Sequence, residues 1–337
     1  MTSAPLNLGT VDALSALADD TVLPFAVEEL DVRGRVVRLG PAVDTMLQRH
    51  GYPEPVARVL GEAAVLTILL GSSLKFDGRF QLQTKTDGAI DMLVVDFEAP
   101  DKLRGYARFN ADRVSEIAAT GMQTGPAVAA QLLGKGYLGL TIDQGPDMSQ
   151  YQGLVSLDGQ GLEAAAHAYF KDSEQIPTVI RLAVAEALSD DKDGPRHAWR
   201  AGGLILQFLP ESTERRRQRD IDPGDAPEGT IRDETPDDDA WVEARALVAT
   251  VEDHELVDPM VSSERLLYRL FHERGARIFE RQGVEEACRC SRERILGMLK
   301  RFTPDERRDM IADDGQIAVT CEFCSRQYVV APNEAEA

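Results

Sequence analysis

All four cysteines of this 337-residue chain lie near its C-terminus, as Cys288, Cys290, Cys321 and Cys324. They form two close pairs, CRC and CEFC, separated by thirty residues. Zinc takes four soft ligands in a tetrahedron, and four thiolates satisfy it fully. That demand constrains the fold of the tail. CEFC must turn back so that both sulfurs face one ion, and the segment between the pairs must bring CRC to it. Thr303-Pro304-Asp305-Glu306 combines an N-cap hydroxyl, a proline in the first turn and a capping-box glutamate, so it predicts a helix start. Ile317 to Val319 and Tyr328 to Val330 predict short strands on either side of CEFC, closing a small knuckle-like hairpin. The expectation is one zinc per chain, held by all four cysteines.

Most closed four-thiolate sites only staple a small domain, with no open position for chemistry. CxC adds a redox reading, because its two sulfurs lie close enough to react once no metal separates them. Arg289, Arg292 and Arg294 would favour the thiolate form that oxidants attack. Residues 1–20 have no basic segment leading into an apolar run, so no export signal is expected, and the reducing cytoplasm is the expected compartment. The most apolar early stretch, Ala63 to Leu70, is too short to span a bilayer. Asp and Glu number 57 against 37 Lys and Arg, a formal charge of -20. Such a surface repels nucleic acid and anionic membrane, so neither is expected as a partner.

Upstream, strand and helix signals alternate without a βαβ rhythm. Residues 1–60 are hard to divide, but Val32 to Leu39 predicts a strand, Pro41 opens a helix ending near His50, and Pro53-Glu54-Pro55 opens another. Ala63 to Leu70 continues that helix with few polar breaks, so burial on most sides is expected. Arg79 to Thr84 and Ala89 to Phe97 predict strands joined at Asp87-Gly88, a pair suited to a tight hairpin turn. Leu103 to Phe109, Tyr137 to Ile142 and Gln152 to Leu157 add strands, and Leu162 to Phe170 a helix. The β-branched residues of Pro177 to Ala187 favour a strand, and Gly203 to Leu209 another. Residues 1–210 therefore predict an α+β domain with a largely antiparallel sheet and packed helices.

Residues 211–239 are charged, proline-bearing and almost without apolar residues, which predicts a mobile segment. Residues 240–285 predict a metastable helical linker. Its first helix runs from Ala240 to about Asp253, with Val242, Leu247, Val248 and Val251 on an imperfect apolar face. Its second starts near Ser262 or Ser263, and its Leu266, Leu267, Leu270 and Phe271 recur at helical spacing. These four are the candidate packing or client-binding residues. Residues 286–332 complete the chain as the small four-cysteine zinc domain.

The cysteine pattern, from CRC to VTCEFCSRQYVV, resembles the heat-shock protein 33 family, redox-regulated holdase chaperones of bacteria. The resemblance extends through Val37-Arg38-Leu39, His50-Gly51-Tyr52-Pro53, Leu74-Lys75-Phe76 and Leu103-Arg104-Gly105-Tyr106. It continues through Tyr151-Gln152-Gly153, Ser173-Glu174-Gln175 and Gly202-Gly203-Leu204 with Gln207, Leu209 and Pro210. It implies a non-enzymatic, ATP-independent chaperone that is inactive while reduced and zinc-bound. It further implies that peroxide or hypochlorous acid forms Cys288–Cys290 and Cys321–Cys324 disulfides, that zinc leaves, and that the linker unfolds. The oxidised protein is then expected to dimerise, hold unfolded clients and pass them to an ATP-driven foldase.

Two other functions use the same cysteines. A thiol–disulfide oxidoreductase would employ CEFC, but Cys321 is expected beside a strand, not at the helix N-terminus that lowers an attacking thiol's pKa. A zinc-ribbon nucleic-acid binder is opposed by the balance of charge after residue 280, nine Lys or Arg against eleven Asp or Glu. Gly134-Lys135-Gly136-Tyr137-Leu138-Gly139 matches a dinucleotide fingerprint. That motif needs a strand before it and a helix after it, and the reverse is expected here. The five histidines are scattered and suggest packing or surface roles.

Overall fold

The structure, a computed structural model, describes residues 19–73, 78–119, 125–145, 148, 150–191, 194–209 and 238–336. Leu74-Lys75-Phe76, Pro210 and residues 211–237 of the charged segment lie outside the described residues. Two six-stranded sheets enclose a central helix. The first contains β1 (Thr21–Val27), β2 (Val32–Leu39), β8 (Thr178–Asp191), β9 (Gly194–Phe208), β10 (Arg277–Ile278) and β11 (Gln282–Gly283). Its order is β10-β1-β2-β9-β8, with β11 also on β1, and every pairing is antiparallel. The second contains β3 (Arg79–Thr86), β4 (Ile90–Glu98), β5 (Lys102–Phe109), β6 (Lys135–Asp143), β7 (Tyr151–Asp158) and β12 (Glu285–Glu286). Its order is β12-β5-β4-β3-β6-β7, antiparallel except for the parallel β12–β5 pair.

Helices α1 (Pro41–Gln48) and α2 (Glu54–Gly71) follow β2. Both have proline in the first turn, where the missing amide costs nothing. α2 lies between the sheets, buried from Ala63 to Gly71, as its unbroken apolar run requires. Gly61 admits Val184 and Gly71 admits Phe97, each with no room for a β-carbon to spare. Helices α3 (Ala111–Ala119), α4 (Pro126–Leu133) and α5 (Leu162–Tyr169) complete this part. The GxGxxG segment indeed joins a helix, α4, to a strand, β6, so no helix follows to receive a phosphate.

The antiparallel prediction extends to two sheets, and β1 was hidden from it. Pro24 interrupts its apolar pattern, and proline inside a run demotes a strand. Here Pro24 sits opposite Arg35 of β2, and its carbonyl accepts from Phe279 N.

Three further helices, α6 (Asp239–Ala249), α7 (Asp253–Val257) and α8 (Ser263–Phe271), lie on the outer face of the first sheet. The sheet is apolar on both sides: Ile205 faces the α2 core, whereas Leu204, Leu206 and Phe208 face the helices. α6 is shorter than predicted. Trp241 packs on Phe208, with ring centroids 5.9 Å apart, so Trp241, Ala244 and Val248 form the buried face and Val242 points to solvent. Val251 is buried beyond the helix end. The Ser262 hydroxyl caps α8 through Arg265 N, at the predicted start. Strands β10 to β12 show that the segment 240–285 also contributes to both sheet edges; at two residues each, they are too short to leave a periodic signal.

Candidate metal and redox centre

The tail begins where β12 ends. Ala287 N donates to Leu103 O of β5, which places Cys288 at the edge of the second sheet. Ser291 caps α9 (Arg292–Leu299), and the Thr303–Glu306 capping box opens α10 (Pro304–Asp309). β13 (Ile317–Thr320) and β14 (Gln327–Val330) form the predicted hairpin around CEFC, and α11 (Pro332–Glu336) closes the module. Leu299, Ile317, Val330 and Ala335 form its buried apolar cluster, a very small core.

The hairpin turn and the CRC segment bring all four sulfurs within 4.8 Å of one another. All four are free thiols. Cys288 lies 3.7 Å from Cys321 and Cys290 lies 3.3 Å from Cys324. A zinc ion at about 2.3 Å from each sulfur requires edges of about 3.8 Å. The donor set and its spacing therefore fit a four-thiolate ion. Neither close gap joins neighbours in sequence, so the reduced geometry alone selects no disulfide pairing.

Burial pushes the Cys288 and Cys324 thiols up. Burial also acts on Cys290, but the Tyr328 hydroxyl, donating at 3.1 Å, and the neighbouring thiols outweigh it and hold that group at about 7. The arginines expected to favour thiolate are engaged elsewhere. Arg289 faces Glu98 at 3.3 Å and Asp96 at 3.8 Å, and Arg292 binds Glu334 and Val329 O. Arg294 donates to Arg289 O.

The middle of CEFC docks the module onto the second sheet. Phe323 meets Tyr106 edge-on at 4.8 Å, and the Arg104 guanidinium lies over the Phe323 ring at 3.9 Å. Asp96, buried, holds Arg104 from behind. His50 Nε2 donates to Phe323 O at 3.2 Å, so its Nδ1 accepts from the Ser325 hydroxyl at 2.9 Å. Sequence reasoning singled out none of these contacts as functional, although His50, Arg104 and Tyr106 lie in segments that carry the family resemblance.

Leu266, Leu267, Leu270 and Phe271 are all buried against the first sheet, and Phe271 packs on Phe25 at 5.8 Å. These candidate packing or client-binding residues are thus covered by the sheet. The connection is residues 277–287, which run along the β1 edge and then the β5 edge to Cys288. No helix among the described residues is long and apolar enough to cross a membrane.

The family model for the Hsp33 protein matches residues 20–331. The 33 kDa chaperonin of Caulobacter vibrioides (strain NA1000 / CB15N) is 42% identical over 318 residues, covering 94% of this chain and 97% of that protein. The 33 kDa chaperonin of Aliivibrio salmonicida is 32% identical over 312 residues, covering 93% and 92%. The crystal structure of a 33 kDa chaperonin from Thermotoga maritima shares the fold, with a TM-score of 0.70 at 21% identity over 94% of this chain and 97% of that one. With the four-thiol cluster in place and the match running through nearly the whole chain, this protein belongs to the Hsp33 family of redox-regulated holdase chaperones.

Proposed function

We propose that the cysteine centre is a zinc-held switch controlling a cytoplasmic, ATP-independent holdase, with the linker as its gate. The observation that carries this reading is the position of Cys288, directly after the strand that seats the linker's end on β5. Zinc, when bound, cross-links the four sulfurs as thiolates and is worth roughly 10–16 kcal/mol of folding energy in small zinc modules. The module has little core beyond that cross-link.

Oxidation then proceeds within each near pair, Cys288–Cys290 and Cys321–Cys324. In each, hydrogen peroxide accepts two electrons from the pair of thiolates, its O–O bond breaks as an S–S bond forms, and two protons from solvent complete the two waters released. Local closure costs the least chain entropy once the module loosens. A disulfide removes two ligands at a time, so the module unfolds, and residues 277–287 lose the structure that holds them to the sheet edges. Helices α6 to α8, of five to eleven residues, are marginal without a packing surface. Their release uncovers Leu266, Leu267, Leu270 and Phe271 together with the sheet face beneath. The active protein dimerises and holds unfolded or aggregation-prone clients for an ATP-driven foldase.

The test is zinc content, disulfide mapping and aggregation suppression, measured before and after peroxide. The expected result is one zinc per chain when reduced, none when oxidised, near-pair disulfides, and suppression only after oxidation. A dominant Cys290–Cys321 bridge would contradict the pairing, and catalytic turnover of a disulfide substrate would favour an oxidoreductase instead.

A further inference from the structure

Helix α7 ends on a polar seat set into the apolar outer face of the first sheet. Arg38 of β2 is only 3% exposed; it donates to Glu255 O at 2.9 Å and also to Asp258 O. Arg200 of β9 donates to Val257 O at 2.6 Å and is steadied by the Asp19 carboxylate at 2.8 and 2.5 Å. Leu256 is fully buried between them. Its carbonyl lies over Gly202, where an added β-carbon would come within 2.1 Å of it.

The last carbonyls of a helix have no partner inside it. Two guanidinium groups supply that partner here, and a glycine lets the backbone approach. The seat therefore reads main chain. The linker side chains that bear on it are Leu256 and Asp258, whose charge acts on Arg38. Burial, and the nearby charge of Arg200, lower Arg38 to about 10, so it stays cationic at neutral pH. If the linker lifts, Arg38 loses both of its carbonyl acceptors and Arg200 loses one while keeping Asp19, and an unfolding protein offers the same carbonyls in any sequence.

We propose that, once the linker is released, Arg38, Arg200 and Gly202 form a client subsite that binds the backbone carbonyls of unfolded chains, with an apolar client side chain in the place of Leu256. This rests on the gated-holdase reading above and names the chemistry of its client contact. It gives a holdase a polar grip that does not depend on client sequence, alongside apolar contact.

The probe is fluorescently labelled, reduced and carboxymethylated α-lactalbumin, which cannot refold, titrated with the fully oxidised full-length protein. Arg38→Met should weaken binding by about ten-fold or more, the scale of a lost charge-assisted hydrogen bond. Gly202→Ala alters no charge but fills the slot, and should weaken binding too. A peptide with the sequence of residues 250–262 should displace the probe from oxidised wild-type protein, and this arm stands even if a variant fails to fold. Wild-type affinity in both variants, or failure of the peptide to compete, would overturn the subsite while leaving the switch intact. An oxidised wild-type protein that does not bind the probe at all would refute the holdase reading itself.

Discussion

Tyr328 sets the chemistry of the cysteine centre more directly than any nearby cation. Its hydroxyl donates to Cys290 and helps hold that thiol at about 7, whereas Arg289 and Arg292 spend their charge on carboxylates. Metal binding displaces thiol protons, so acid must release the ion. Tyr328→Phe removes a donor to the thiolate and raises the Cys290 pKa, so protons compete better at any given pH. The expected outcome is half-release of zinc at higher pH and about a ten-fold loss of affinity at neutral pH, the lower end for outer-shell partners. Competition against a chromogenic chelator measures both, and a release profile identical to wild type would make Tyr328 a bystander. The cysteines were legible in the sequence because ligand type and spacing are local properties. Tyr328 was legible only as a strand residue, since its aim at Cys290 depends on the hairpin register that sets it opposite Val319.

Among the elements, the two cysteine loops do double duty. Arg289 inside CRC and Phe323 inside CEFC each dock the module onto the second sheet. Closing either disulfide must reshape the loop that carries its docking residue, so ligand loss and undocking are mechanically linked. Phe323→Ala leaves all four ligands in place. It should keep one zinc per chain yet raise hydrogen exchange across residues 277–287, and unchanged exchange there would show that docking does not steady the linker. On the other sheet, Leu270→Asp puts a charge into the α8 contact, a change of the class that costs on the order of 4 kcal/mol or more. Aggregation of a heat-unfolded client, followed by light scattering, should then be partly suppressed even with every thiol reduced. α8 was readable because its cap and four apolar residues share one helix face. Around α6, Val248 and Val251 were read on the apolar face and are buried, whereas Val242 was read there in place of Trp241, whose partner, Phe208, is distant in sequence.

Across the whole molecule, one chain segment ties the two sheets to the switch. Residues 277–287 pass from the edge of the first sheet to the edge of the second and end at Cys288. A composition-based reading could place a linker there, but edge pairings of two residues have no periodicity to detect. The contacts of His50, Arg104 and Tyr106 with the CEFC turn were unreadable for a different reason: they join segments more than two hundred residues apart. This path is the proposed route from thiol oxidation to client binding. Deuterium uptake, zinc release and client binding, followed together during peroxide oxidation of the full-length protein, test it most directly. The predicted result is that uptake across residues 239–287 rises with zinc loss and with the onset of client binding, while residues 79–109 stay protected. Client binding that switches on while 239–287 keeps its full protection would contradict it.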